Sequence, residues 1–152
     1  FDPVTRGHLD IIERASKVFD HLIVAVLENP RKNALFSMAE RVRMLKSITQ
    51  SYDNVEVDSY QGLLVEYAEK NNLAIIIKGL RAISDFEFEF QMALINKKLN
   101  RNVDTMFMMT DYKYSFISSS LVKEVASYGG DIKGLVPPQV YAMIINKIEN
   151  PD

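Results

Sequence analysis

The segment Phe1-Asp2-Pro3-Val4-Thr5-Arg6-Gly7-His8 organises the predicted fold, because it indicates a turn that leads directly into a helix. Pro3 has a fixed φ and no backbone N–H, which favours the turn. Thr5 is a good N-cap for the periodic segment that follows, and Gly7 puts no side chain over the helix start. His8 then falls in the first helical turn, where free N–H groups and the helix dipole favour phosphate. Taken alone, Thr-x-Gly-His is more typical of a simple capped helix with a surface histidine.

The composition limits the classes of protein to consider. A chain of 152 residues is expected to form one domain over residues 1–152. With 47% hydrophobic and 25% charged residues, it has the make-up of an ordinary globular protein. A net charge of −2 does not favour nucleic acid as a partner, and the apolar runs are too short to predict a membrane span. The absence of cysteine excludes disulfides, thiolate metal sites and a cysteine nucleophile, and is compatible with the cytoplasm.

Helical and strand patterns alternate along the rest of the chain. Continuous apolar runs predict buried strands at 22–27, 73–77 and 105–109, and a short strand is expected at 55–57. The segment 85–90 alternates apolar and acidic residues as a strand does, but its apolar residues also stand one helical turn apart, so a helix reaching residue 99 is preferred. The remaining predicted helices cover 9–19, 37–50 (opened by the capping box Ser37-Met38-Ala39-Glu40), 63–70, 118–128 and 139–148.

This alternation predicts the fold class. It indicates an α/β protein with a doubly wound, Rossmann-like parallel sheet and helices on both faces. Ligands of such sheets bind beyond the carboxyl ends of the strands. The turn at Phe1 has no strand that leads into it. We therefore expect the first strand to be missing from this chain and further residues to precede Phe1 in the working protein.

Three basic or hydroxyl-rich segments are predicted at the rim of that sheet. Lys32 follows a strand, Lys78-Gly79-Leu80-Arg81 ends one, and Ser118-Ser119-Ser120 opens a helix. Each has an ordinary interpretation as well: a solvated loop, a strand-to-helix turn and a capping serine with two idle neighbours. No set of acidic or histidine residues has metal-ligand spacing, and no P-loop or Gly-x-Gly-x-x-Gly is present. Any Mg²⁺ is therefore expected to arrive on the phosphates of a nucleotide.

Taken together, these segments resemble the bacterial phosphopantetheine adenylyltransferases, a family of the nucleotidyltransferase superfamily. The Thr-x-Gly-His element marks only the superfamily. The family is indicated by Lys-Gly-Leu-Arg-Ala-Ile-Ser-Asp-Phe-Glu-Phe-Glu at 78–89 and by Tyr-Ser-Phe-Ile-Ser-Ser-Ser-Leu-Val-Lys-Glu-Val at 114–125. The resemblance runs the whole length of the chain, including Gly-Gly-Asp at 129–131 and Val-Pro-Pro at 136–138.

The resemblance implies an activity. The family transfers the adenylyl group of ATP to 4′-phosphopantetheine by direct in-line attack and releases dephospho-coenzyme A and pyrophosphate, with Mg²⁺ bound to ATP. This is the penultimate step of coenzyme A biosynthesis, and coenzyme A itself is a further candidate ligand. The family is typically a cytoplasmic homohexamer, without nucleic-acid or membrane partners.

The resemblance also implies site residues. His8 is the expected catalytic residue, which stabilises the transition state, and Lys32, Leu64 and Lys78 are expected to bind phosphopantetheine. The family has a Ser or Thr before the residue that matches Phe1, and this chain begins after that position. The family usually has Arg where this chain has Lys78, which keeps the charge but lacks the planar fork. The residues expected to bind ATP are Phe1, His8, Gly79, Leu80, Arg81, Glu89, Tyr114, Ser115, Phe116, Ile117, Ser118, Ser119 and Ser120.

Two other functions remain open at this point. One is a different adenylyl- or cytidylyltransferase of the same superfamily, such as the nicotinate mononucleotide enzyme. The other is a non-catalytic module that binds adenylates or coenzyme A. His8 together with two cationic segments favours an enzyme, because binding alone could dispense with His8.

Overall fold

The computed structural model describes residues 1–28, 33–81 and 83–150. Helices and strands alternate through these ranges, as the sequence predicts. In chain order the elements are α1 (Arg6–Ser16), β1 (Leu22–Leu27), α2 (Met38–Thr49), β2 (Val55–Tyr60), α3 (Leu64–Lys70), β3 (Ile75–Leu80), α4 (Ile83–Leu99), β4 (Asp104–Met109), a 3-10 helix (Tyr112–Tyr114), α5 (Ser119–Ser127) and α6 (Pro138–Glu149).

The four strands of the described ranges form two parallel pairs. β1 pairs with β2 from Leu22–Val55 to Leu27–Tyr60, and β3 pairs with β4 from Ile75–Asp104 to Leu80–Met109. The described strands thus form two separate parallel sheets, with the orders β1-β2 and β3-β4. The α/β prediction is confirmed.

A cleft of about 1350 Å³ lies between the two strand pairs. Residues 22–25 of β1 and 75–79 of β3 line it, so each pair presents one strand to the cleft. Residues before α1 and at the start of α5 line the same cleft. Functional residues from distant parts of the sequence can therefore meet there.

The main core holds the segment before α1 in place. α1, β1, α2, α5 and α6 contribute to this core, in which Phe36, Met44, Leu45 and Ile144 are fully buried. Val4 is fully buried in the same cluster. A smaller core joins α3 to β3 through Val65, Ala68, Ile76 and Val103. The start of the chain is thus packed as interior, which fixes the entry into α1.

Two helix predictions are confirmed in detail. The capping box of α2 is present: Glu40 N–H donates to Ser37 Oγ at 3.3 Å, and Ser37 N–H donates to the Glu40 carboxylate at 2.7 Å. The ambiguous segment 85–90 is helical within α4, and the rings of Phe86 and Phe90 stack 5.6 Å apart, one turn from each other.

The predicted end of the third strand is wrong. Lys78, Gly79 and Leu80 were expected in a turn, but they lie inside β3 and pair with residues 107–109 of β4. Gly79 has no left-handed φ, so the backbone stays extended at the glycine. The pairing of β3 with β4 therefore continues through it. Arg81 alone of this segment follows the strand. β2 is also longer than expected, since it reaches Tyr60.

Among the described helices, none combines the length and apolar character that crossing a bilayer requires.

Candidate active site

The cleft collects most of the residues that the sequence analysis assigns to substrates. They come from the turn before α1 and the first turn of α1, from β3 and the residue after it, from α3 and α4, and from the start of α5. The predicted residues that line the cleft are Phe1, His8, Leu64, Lys78, Gly79, Arg81, Glu89, Ile117, Ser118, Ser119 and Ser120.

The side chain of His8 is part of the cap of α1. Thr5 is the N-cap, and its hydroxyl accepts from the His8 backbone N–H at 3.4 Å. In return, the Thr5 backbone N–H donates to His8 Nδ1 at 3.0 Å. A nitrogen that accepts a hydrogen bond carries no proton, so the neutral ring has its proton on Nε2. The capping box therefore fixes the ring and leaves an Nε2–H donor.

The surroundings of His8 keep the ring neutral. Burial lowers the pKa of His8 well below its usual value, and the positive charges of the amino group of Phe1 and of Arg81 lower it further. Phe1 covers the ring edge-on, with 4.8 Å between ring centroids. His8 is thus a neutral hydrogen-bond donor near physiological pH, like a donor in an oxyanion hole.

The serine-rich start of α5 contributes donors rather than three free hydroxyls. Ser118 caps the helix through Leu121 N–H at 3.0 Å, and Ser119 Oγ donates to the Pro3 carbonyl at 2.7 Å. Only the Ser120 hydroxyl has no protein partner among the described residues. The backbone N–H groups of Ser119 and Ser120 begin the helix beside the cleft, where an anion is favoured.

Arg81 connects the end of β3 to this helix start. Its guanidinium donates to the Ile117 carbonyl at 2.9 Å, and it lies close enough to His8 to influence the imidazole pKa. The histidine, the arginine and the serine-capped helix therefore share one side of the cleft, although they are more than a hundred residues apart at the extremes.

Lys78 and Glu89 form an ion pair, and both residues line the cleft. Their charged groups are 3.5 Å apart, and both side chains are partly buried. Glu89 Oε2 is the oxygen that faces the Lys78 ammonium at 3.5 Å, and within the described residues it accepts no hydrogen bond of good geometry. An unsatisfied buried carboxylate oxygen is costly in the free protein. This pair can therefore gain a hydrogen bond when a polar ligand enters.

Neither Asp2 nor Lys123 has a predicted role in the site, yet the two form an ion pair there. The Lys123 ammonium lies 2.7 Å from the Asp2 carboxylate, and both side chains line the cleft. Asp2 also accepts from backbone groups 33 and 34 residues away, and Lys123 is 121 residues away. No local pattern could have revealed partners at such separations.

Four predicted residues of the described ranges do not line the cleft. Leu80 is buried, and Tyr114 lines a separate small pocket. Ser115 donates its hydroxyl to the Tyr112 carbonyl, and Phe116 is exposed. Lys32 lies outside the described residues. Their assignment to substrates stays a prediction, as does that of the residues that line the cleft.

Within residues 1–28, 33–81 and 83–150, no group of three or more potential ligands could hold a metal ion. The cleft contributes cations and N–H donors instead. The expectation that Mg²⁺ arrives on the phosphates of a nucleotide stays a prediction.

Comparison with other proteins identifies the family. Residues 1–125 match the cytidylyltransferase-like family model. A phosphopantetheine adenylyltransferase of Natranaerobius thermophilus is 59% identical over 147 residues, which are 97% of this chain and 91% of that protein. The corresponding protein of Clostridium novyi is 56% identical over 97% of this chain and 92% of its own length.

A solved structure supports the fold. A putative nicotinate-nucleotide adenylyltransferase from Vibrio parahaemolyticus superposes with a TM-score of 0.68 and covers 96% of this chain and 94% of its own. The two are 18% identical, so this likeness bears on the fold alone. The sequence identities of 56% and 59% over nearly the whole chain decide the family. The chain belongs to the phosphopantetheine adenylyltransferase family of nucleotidyltransferases.

Proposed function

We propose that the protein transfers the adenylyl group of ATP to 4′-phosphopantetheine and releases dephospho-coenzyme A and pyrophosphate, as a step of coenzyme A biosynthesis. The observation that carries the proposal is the meeting of His8, Lys78, Arg81 and the start of α5 in one cleft. These groups are cations and hydrogen-bond donors, which suit a triphosphate and a second phosphate.

The reaction is a direct in-line displacement. A phosphate oxygen of phosphopantetheine attacks the α-phosphorus of ATP, a new P–O bond forms, and the bond from the α-phosphorus to the bridging oxygen breaks. The electron pair leaves with pyrophosphate. A phosphate monoester has a second pKa of about 6, so the nucleophile is already ionised at neutral pH and needs no general base. No protein nucleophile is required.

His8 is the proposed transition-state donor. Its neutral ring offers Nε2–H, because Nδ1 is occupied by the Thr5 backbone N–H. As the α-phosphoryl group passes through the transition state, negative charge grows on its oxygens, and a fixed donor stabilises this charge without reorganisation. His8 keeps its proton throughout the reaction, so no proton is transferred to or from the ring.

The other residues hold the two substrates. Arg81 and the N–H groups of Ser119 and Ser120 are proposed to bind the phosphates of ATP, and Glu89 to accept a hydrogen bond from ATP. Lys78, with Leu64 and Lys32, is proposed to hold phosphopantetheine. The proposal includes Mg²⁺ that arrives with ATP and neutralises part of the triphosphate charge. Positioning then accounts for much of the rate, as in other phosphoryl transfers.

Pyrophosphate release tests this function. The purified protein is given Mg-ATP with 4′-phosphopantetheine, with nicotinate mononucleotide, or with no acceptor. We expect pyrophosphate and an equal amount of dephospho-coenzyme A only with phosphopantetheine. Release with nicotinate mononucleotide instead would assign the other branch of the superfamily. ATP binding without release for any acceptor would leave a binding module.

The proposal extends to assembly and location. We propose a cytoplasmic homohexamer, in which the product and coenzyme A compete for the acceptor site. Exposed apolar side chains on α4 support an interface, since Phe88 is 63% exposed and Leu94 and Leu99 are exposed on the same helix. Light scattering should give six times the chain mass, and Leu94→Glu should lower it. A monomeric wild type would contradict the assembly.

A further inference from the structure

An ion pair joins the turn before α1 to the second turn of α5. The Lys123 ammonium lies 2.7 Å from Asp2 Oδ2, and the Lys123 and Asp2 side chains are 28% and 19% exposed. Both side chains line the cleft. Neither residue was assigned to a substrate by the sequence analysis. A pair this sheltered is more costly to break than an ion pair on the surface, because the remaining charge stays partly buried.

Asp2 also holds the segment that follows β1. Its Oδ1 accepts from the Phe36 backbone N–H at 2.9 Å, and its Oδ2 accepts from the Leu35 N–H at 3.2 Å. Burial alone raises the pKa of Asp2, but the hydrogen bonds from Lys123, Phe36 and Leu35 outweigh it and lower the pKa below the usual value. The carboxylate is thus charged and joins three segments of the chain.

These three segments carry the groups assigned to both substrates. The turn before α1 leads to His8, and the start of α5 carries the N–H groups proposed for ATP. Leu35 and Phe36 follow Lys32, the residue assigned to phosphopantetheine, in the sequence, and Lys32 itself lies outside the described residues. A second contact strengthens the junction, since Ser119 Oγ donates to the Pro3 carbonyl at 2.7 Å. This junction therefore ties the turn that leads to His8, and residues 35 and 36, to the start of α5.

We propose that Asp2 and Lys123 are a positioning pair that holds Leu35 and Phe36 at a fixed distance from the start of α5, so that the acceptor phosphate meets the α-phosphorus of ATP. The inference rests on the proposed adenylyl transfer. Neither residue touches the reacting atoms. Their effect is on transfer rather than on the binding of either substrate, because misplacement by about 1 Å can lower a rate by about 100-fold.

Two variants and their combination separate positioning from direct binding. Asp2→Asn keeps the shape but removes the charge that Lys123 faces. Lys123→Met keeps a long unbranched chain and leaves the backbone contacts of Asp2 available. Lys123→Arg is the conservative rescue. Lys17→Met is the matched control, since Lys17 forms an exposed pair with Glu13 at 2.8 Å, outside the cleft, and such pairs contribute little.

We expect Asp2→Asn and Lys123→Met each to lower kcat by about 10- to 100-fold. The Kd for ATP and the Kd for phosphopantetheine, measured separately, should change by less than about threefold. The double variant should be no slower than the slower single variant, because residues that act as a unit are not additive. Lys123→Arg should recover most of the rate, and Lys17→Met should match wild type.

Two outcomes of these kinetics would overturn the inference. If Lys123→Met raises the Kd for ATP or the Kd for phosphopantetheine at least tenfold while Asp2→Asn behaves as wild type, Lys123 is a substrate ligand instead. If both variants keep the wild-type kcat, the pair has no part in transfer.

Amide hydrogen exchange tests the same junction without any activity. Lys123→Met should speed exchange at Leu35 and Phe36, which Lys123 does not touch, because their acceptor Asp2 loses its anchor. Unchanged exchange at both amides would show that the lysine does not hold that segment, and the inference would be wrong. This result stands even if wild type releases no pyrophosphate with phosphopantetheine, in which case the proposed function fails separately.

Discussion

His8 belongs both to the cap of α1 and to the wall of the cleft. Thr5 and His8 are three residues apart, so their hydrogen bonds are local and the sequence could suggest the cap. The part played by the imidazole itself was not foreseen, because a side-chain acceptor at this helix position is usually Glu or Gln. This arrangement selects the protonated nitrogen, which a sequence pattern does not reveal.

Removing the His8 ring should affect turnover more than binding. We expect His8→Ala to fold, to bind ATP, and to lose about 100- to 1000-fold in kcat, the typical cost of losing one transition-state donor. Stopped assays of pyrophosphate release and calorimetric titration with ATP would measure the two effects. Near-normal turnover in a folded His8→Ala protein would remove His8 from the mechanism.

The lowered pKa of His8 predicts a pH-dependent stability. The unfolded chain takes up a proton near pH 6.5, whereas the folded protein does so only at a lower pH. The stabilisation is therefore complete above pH 6.5 and is lost as the pH falls below it. Between pH 7.5 and 5.5 wild type should lose about 1 kcal/mol more unfolding free energy than His8→Asn. Urea unfolding would measure this difference, and equal losses would contradict the lowered pKa.

Lys78 is the position where the family resemblance implies an arginine. Its ammonium faces Glu89 at 3.5 Å, whereas a guanidinium could contact a phosphate with two parallel hydrogen bonds. We expect Lys78→Arg to lower the KM for phosphopantetheine several-fold and to leave kcat nearly unchanged. Steady-state kinetics at saturating ATP would measure both, and an unchanged or higher KM would count against the prediction.

At the scale of elements, sequence patterns were most successful where the cause of an element is local. The capping box before α2 and the glycines after α5 lie within a few residues of the helix ends that they determine. The end of β3 was misplaced because its last residues are held by pairing with β4, about thirty residues away. Long-range pairing does not appear in a local pattern, whereas helix caps do.

Two glycines allow a test of the end of α5. Gly129 has a φ of 73°, and a methyl group added there would meet open space. Gly134 has equally open space but no left-handed φ. Gly129→Ala should destabilise the protein by about 1 kcal/mol through backbone conformation alone. Gly134→Ala, the matched control, should be neutral or slightly stabilising. Equal thermal stability of the two variants would show that the φ of Gly129 does not matter.

For the whole molecule, the alternation of helices and strands was sufficient to predict the α/β class, whereas the location of ligands stays a prediction. The strand order and the cleft between β1 and β3 follow from packing across the chain. Most of the predicted site residues meet in that cleft, but the junction around Asp2 could not be foreseen. Its partners are brought together only when the turn, the segment after β1 and α5 pack on one core.

The measurement that tests adenylyl transfer most directly follows the α-phosphorus of ATP. With ATP labelled at that position, Mg²⁺ and 4′-phosphopantetheine, the label should appear in dephospho-coenzyme A in the same amount as the pyrophosphate released. No labelled protein should accumulate, because the displacement is direct. Label that remains in ATP, or that becomes covalently attached to the protein before it reaches the product, would contradict the proposed reaction.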